Sequence, residues 1–302
     1  MGFLLFTIGL LAPALALPLM LIYPFPFASL YYERGILPAL VSALTASAAL
    51  VLFIPPFFSL IYFIVFGLSG ILIGLSARKI LAAAELLPVA VIAALTAKLL
   101  SAFIVFRISG VNLMAPDASE LERTLLPLVE SGALNLSGVD VEHMRAEIPN
   151  IINYLIMLIP FSMILFSTVE VLVSLYIVSF VHSRRTGEVF FSLPPFGSWS
   201  FPRNILLAFA AGFICANISD GESYYILRQV GLNLNALTRT FFILQGLSMG
   251  YYFMERRGFS KILRAVIIIL TPLISVLGDV YATFGLLDII FNFRKRVRGL
   301  GK

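Results

Sequence analysis

Glu170 stands deep inside an apolar run, with Ser167 three residues before it and Ser174 four residues after it. That spacing puts all three on one face of a helix. A carboxylate so placed suits a proton, a cation or an amine-bearing ligand; the alternative is a packing pair with Arg239 or Lys98. Arg239 sits in the middle of NLNALTRTFFILQGLSMGYYF, with Asn235 one turn earlier and Gly246 and Gly250 further along the same face. Its guanidinium fits a carboxylate or phosphate group, unless it snorkels to the outer interface. Gln245 points elsewhere and needs a partner of its own. Lys98 lies about two turns before Arg107, where snorkelling along its stem competes with a site role. Asp279 follows Gly278 at an expected helix break, which either frames a binding site or caps the last helix. The cap needs no ligand and is preferred. Asp288 precedes a basic tail, and a local pair with Arg294 or Lys295 accounts for it.

Ionisable groups at membrane depth cost roughly 2.5–3.5 kcal/mol each on insertion scales, so their default meaning is functional. Arg239, Asn235, Glu170, Lys98 and Asp279 are therefore the candidate ligand-binding residues of a polar interior.

The elements that must hold these residues are membrane helices. The chain of 302 residues is 60% hydrophobic and only 12% charged, half the charge of a soluble domain, and its mean hydropathy is +1.00. The apolar runs are continuous rather than alternating, which selects helices over a barrel. Spans are expected near 3–20, 36–53, 56–76, 86–106, 150–181, 203–219 and 226–253. The last apolar block, 262–293, is interrupted by Thr271-Pro272 and Gly278-Asp279 and forms either a hairpin of two short helices or one kinked helix. The first block passes a signal-like Ala14-Leu15-Ala16 but lacks a basic start, so it is read as a retained helix. Residues 1–302 form a single membrane domain in this reading, with about nine crossings if both terminal blocks are hairpins and about seven if they are single spans.

Residues 107–149 are the one long polar interruption. Ser119 with Glu122 has the capping-box pattern, and Leu121, Leu125, Leu126 and Val129 recur at helical spacing. A second amphipathic stretch follows from Asp140 to Ile148. The pair either lies on the membrane or caps the bundle. This segment is mainly acidic, as is Asp220/Glu222, and both are expected on the extracytoplasmic side, whereas Arg78/Lys79, Arg184/Arg185, Arg203, Arg256/Arg257/Lys261 and the tail are basic. Lysine and arginine set orientation, so the basic clusters and the C-terminus, including the tail 294–302, are expected in the cytoplasm. The net charge of +5 equals the five basic residues of that tail, which meets anionic membrane lipid rather than nucleic acid.

Small residues recur four apart at Ala12/Ala16, Gly70/Gly74 and Gly246/Gly250, where another helix can approach closely. The single cysteine, Cys215, excludes an intramolecular disulfide. The sequence contains no HExxH, no GxSxG, no Cys/His metal set and no phosphate-cradling glycine loop, so no enzyme, no cofactor and no metal site is expected.

Several segments together resemble the YybS-like family of bacterial inner-membrane proteins: PFPFASLYYERG, FGLSGILIGLSARK, PPFGSWSFP, the LTRTFFILQGLSMGYYF helix and GLLDIIFNFRKR. The tail departs from the pattern at Asn292, where such proteins often have an acidic residue. That family is similar, distantly, to the substrate-binding S components of energy-coupling-factor transporters and to the cell-shape protein MreD. The resemblance implies a Pro-rich short helix after the first span, here Pro24–Gly35, and a small-residue face, here Ala12/Ala16, that docks a partner. It also implies a transporter-like subunit of the bacterial cytoplasmic membrane that binds a small-molecule ligand and draws energy from a partner ATPase subunit or an ion gradient. The alternative is an MreD-like scaffold with no ligand, whose charges pair between helices.

Overall fold

The computed structural model describes residues 16–80, 82–130, 141–217, 224–271 and 275–294. Helix accounts for 83% of it, with no strand among the described residues, so the protein is a helical bundle and not a barrel. The sequence treats 1–302 as one domain; by contacts the chain gathers into two compact units, Met1–Ser192 and Leu193–Lys302.

The first unit holds α1 (Ala16–Met20), α2 (Phe25–Arg34), α3 (Ile36–Leu50), α4 (Pro56–Lys79), α5 (Ala83–Ser109), α6 (Ala118–Glu130), α7 (Val141–Met157) and α8 (Ile159–Thr186). Three of its helices are long and apolar enough to cross a membrane: Pro56–Lys79, Glu85–Ser109 and Ile159–Thr186. Two of them begin at a proline that starts the helix. Pro56 follows Pro55 in extended backbone, and Pro160 occupies the first turn of α8, where a missing N–H costs nothing.

Pro160 also explains a departure from the sequence reading. The span expected over 150–181 is two helices, α7 and α8, broken at Leu158. A proline that begins one helix cannot continue another. The apolar run hides the break because both sides are equally hydrophobic. α7 instead pairs with α6, burying Ile148, Ile152 and Ile156 against Leu125, Leu126 and Ala118. The cap of α6 is Asp117 rather than Ser119: its Oδ1 accepts from the Ser119 amide at 2.8 Å, and that hydrogen bond holds the carboxyl below its ordinary value.

The close-packed corner of this unit lies where α4 crosses α2. Gly70 faces the Pro24 carbonyl, and a Cβ at Gly74 would stand 2.6 Å from the Ala28 oxygen. Without side chains at these positions the backbones touch. Tyr23, Phe27, Ala39, Ala43, Tyr62 and Phe66 fill the space beside them. Within α4, residues Phe63–Leu68 form one π-helical turn. Such turns rotate the residues that follow them and recur at functional sites; the residue that follows here is Ser69.

The second unit holds a short 3₁₀ turn (Phe196–Ser198), α9 (Ile205–Ala216), α10 (Tyr225–Arg256), α11 (Lys261–Leu270) and α12 (Ser275–Phe291). The last apolar block is thus two helices, α11 and α12. α10 is the spine, with α9 on one side and α12 on another. Gly246 and Gly285 bring α10 and α12 into backbone contact at Tyr281 and Phe242, and Gly231 does the same for α10 against Cys215–Ala216 of α9. Gly250, the other half of the expected pair, meets only the Tyr281 ring. Ala12 lies outside the described residues, as do the start of the first span, Asp220/Glu222, Pro272 and the tail beyond Arg294. Ala16 begins α1.

Candidate functional site

The Glu170 face of α8 is buried completely, with Ser167, Glu170, Ser174, Val171 and Leu175 all without solvent exposure. The partner of Glu170 is Lys98 of α5, whose ammonium lies 2.5 Å from Oε2. Lys98 does not snorkel; it is 9% exposed and passes 5.6 Å from the Phe166 ring centroid. Ser69 of α4 completes the group by donating to Glu170 Oε1 at 2.8 Å. Each of the three membrane-length helices therefore supplies one member of a buried triad. Two more hydroxyls, Ser167 and Ser174, flank Glu170 with buried Oγ atoms that have no hydrogen-bond partner. A buried pair with its remaining lone pairs satisfied is the arrangement that survives desolvation. Here the pair is satisfied, and the two flanking hydroxyls are spare.

Arg239 does not meet Glu170. It pairs with Asp279 of α12 in the second unit, and both side chains are more than half exposed, at 53% and 68%. Asp279 is consequently no N-cap: it is the fifth residue of α12, which begins at Ser275. Asn235, one turn before Arg239, turns toward a different helix, and its Oδ1 is buried over Gly212 of α9. The five candidates thus divide into Lys98 and Glu170 in one unit and Asn235, Arg239 and Asp279 in the other.

The second unit has a polar centre of its own. Gln245 of α10 donates to Asp288 Oδ2 at 2.5 Å and accepts from the Phe201 amide at 3.0 Å. Arg294 reaches the same Asp288 oxygen at 2.9 Å, which realises the local pair read from the sequence. It does so as a buried residue rather than as part of a solvated tail. Asn292, at φ 51°, supplies the left-handed turn that sends the chain back; asparagine tolerates that conformation better than most residues. The guanidinium also donates to the carbonyls of Gly197 at 3.0 Å and Trp199 at 2.7 Å and to Ser248 Oγ at 3.1 Å. Arg294 thereby clamps the PPFGSWSFP segment onto α10. Arg294→Ala is expected to speed amide exchange selectively across residues 196–201, measured by hydrogen–deuterium exchange. Arg294→Lys should rescue little, because three donors on a single nitrogen cannot span the four acceptors that the five N–H groups of a planar fork reach.

A helical membrane bundle with polar groups enclosed between its longest apolar helices is the shape of an integral membrane protein. Residues 2–289 match the family described as predicted membrane protein (DUF2232). The chain belongs to that family. No curated protein and no solved structure matches it. In this family member, then, the chemistry rests on its own geometry: a serine–lysine–glutamate triad in one unit and a glutamine–aspartate–arginine clamp in the other. Sequence reasoning missed Ser69, because a serine in an apolar helix is commonplace. Its signal was its place next to Gly70, on the face that α4 must bury.

Proposed function

We propose that the protein is a transporter-like subunit of the bacterial cytoplasmic membrane, with its C-terminus in the cytoplasm, that binds a small cationic solute or proton at Glu170. The reading is supported by one observation above others: all three membrane-length helices converge on Glu170, through Ser69, Lys98 and Glu170 itself. Lys98 then acts as a resident cation that an incoming cation displaces. Ser167 and Ser174 offer the spare oxygens that an incoming ammonium or dehydrated metal cation requires. A stripe of oxygens around one carboxylate selects a cation, not an anion, and the S-component-like resemblance fits a subunit that binds and leaves energy coupling to a partner. Arg239, Asn235 and Asp279 stand outside this centre.

The test uses purified protein in lipid nanodiscs, titrated with methylammonium and separately with Na⁺ while thermal unfolding is followed. Binding to the folded state at a hundredfold excess over Kd stabilises by about 2.7 kcal/mol. The expected result is a rise in Tm with one of these cations that Glu170→Gln abolishes. Equal responses of wild type and E170Q, or none, overturn the reading.

A scaffold of the MreD-like kind is the second reading. It is favoured by the internal pairing of charge, since Glu170, Asp279, Asp288 and Glu33 each already face a basic residue. Under it, removing the Lys98–Glu170 pair altogether leaves function in the cell intact.

A further inference from the structure

A pocket of about 610 Å³ opens where the basic ends of α4 and α8 meet α2, lined by Tyr32, Glu33, Arg78, His182, Arg185 and Phe190 among others. Its floor is aromatic. Tyr32 stacks on Phe190 at 4.4 Å, and the His182 ring stands edge-on to Tyr32 at 5.0 Å. Ile80 and Val189 add an apolar wall. The charges around it do not balance. Arg185 is paired with Glu33, which leaves Arg78 with no ion pair or hydrogen bond among the described residues. Gly35 leaves the space that the Arg78 guanidinium occupies, since a Cβ there would lie 3.3 Å from Nη1. Beside the pocket stands an unmet acceptor: Glu33 spends Oε2 on Arg185, while its Oε1 is buried without a partner and meets a ligand only when the carboxylate turns toward the pocket.

An unpaired guanidinium and an orphan carboxylate oxygen at one pocket describe the complement of a particular ligand. The guanidinium calls for an anion, and phosphate is the group its fork of donors matches. The carboxylate oxygen calls for a hydroxyl on the same molecule. The apolar wall and the position at the basic helix ends suit a molecule that also carries an acyl chain, as basic pockets between membrane helices hold anionic headgroups. We propose that this pocket binds a phosphoglycerol group, with its phosphate on Arg78 and Arg185 and a glycerol hydroxyl donating to Glu33 Oε1, toward which the carboxylate turns as the ligand enters. The source is either phosphatidylglycerol or soluble glycerol 3-phosphate. Either ligand sits apart from the Lys98–Glu170 centre, so this inference stands or falls independently of the proposed function.

The experiment uses the full chain in nanodiscs. One arm replaces neutral phosphatidylcholine stepwise with phosphatidylglycerol and counts retained lipid by native mass spectrometry. The other keeps phosphatidylcholine and adds glycerol 3-phosphate, following Tm. Binding in the first arm alone identifies the lipid; binding in the second identifies the soluble phosphate. Arg78→Gln is expected to weaken binding roughly tenfold to a hundredfold, the effect of losing a charge-assisted hydrogen bond. Arg107→Gln, an exposed arginine in the last turn of α5 and outside the pocket, is expected to change it by less than about twofold, the residue of long-range screening. Binding in neither arm overturns the proposal. So does an R78Q variant that binds as wild type does, or an R107Q variant that loses as much as R78Q, which would mean a diffuse basic surface rather than a site. Both variants lie on exposed helix ends, and an unchanged Tm in phosphatidylcholine alone confirms that each is folded.

Discussion

Lys98→Met is expected to destabilise the protein by about 3–5 kcal/mol, because it leaves the Glu170 carboxylate buried with no counter-charge. The loss is not the worth of the ion pair. It is the cost of stranding one charge among Phe166, Val171 and Leu175, where Ser69 alone cannot neutralise it. Glu170→Met strands an ammonium instead, but Lys98 is on a long flexible stem and is 9% exposed, so part of its cost is relieved by reorientation. The K98M/E170M double variant removes both charges and keeps similar volume, and its stability should return to within about 1 kcal/mol of wild type. The Ser69 hydroxyl freed in that variant can turn back onto the carbonyl one helical turn earlier. A double-mutant cycle on thermal or denaturant unfolding in detergent measures the coupling, expected on the order of 3 kcal/mol. Additive losses would mean that the two side chains do not share a site. The same double variant separates the functional readings. It keeps the fold, so a lost cation response in it reports the site itself, while intact cellular function in it supports the scaffold.

What the sequence made legible follows from how local the relevant physics is. The Ser167–Glu170–Ser174 stripe was readable because helical periodicity alone puts those residues on one face. The Asp288–Arg294 pair was readable because six residues and a turn bring the two together. Lys98 as the partner of Glu170 was not, since 72 residues separate them and only the packing of α5 against α8 chooses Lys98 over Arg239. Gln245 was seen to need a partner, but Asp288 became that partner through the approach of α10 and α12. The Asp279 cap was misplaced for a related reason. Gly278 looks like a helix break in sequence, yet α12 runs through it, and a Cβ there would meet nothing within 4 Å. A glycine in open space and a glycine under a neighbouring backbone are the same letter.

That distinction makes Gly285 the most tightly covered glycine among the described residues of the second unit. A Cβ at Gly285 would fall far inside contact with the Phe242 carbonyl of α10, and Gly246 stands in the same relation to Tyr281 of α12. The obstacle in each case is backbone, which cannot swing aside as a side chain can. Gly285→Ala must therefore separate α10 from α12 along their whole shared face. Overpacking of this kind costs typically 1–3 kcal/mol, and Gly285→Leu is expected at or above the upper end. The separation also lengthens the 2.5 Å bond from Gln245 to Asp288 and loosens the Arg294 clamp, so local and remote effects compound. Gly278→Ala is the control on the same helix. It meets open space and exchanges a poor helix former for the best one, so it should raise stability by up to about 1 kcal/mol. Thermal unfolding of wild type and the three variants in one detergent checks the order G278A above wild type above G285A above G285L. Amide exchange at residues 196–201 should rise in G285A and not in G278A, because only the first displaces the helix that carries Asp288. If G285A unfolds at the wild-type temperature, the two helices do not meet through their backbones, and the close packing of α10 on α12 is wrong.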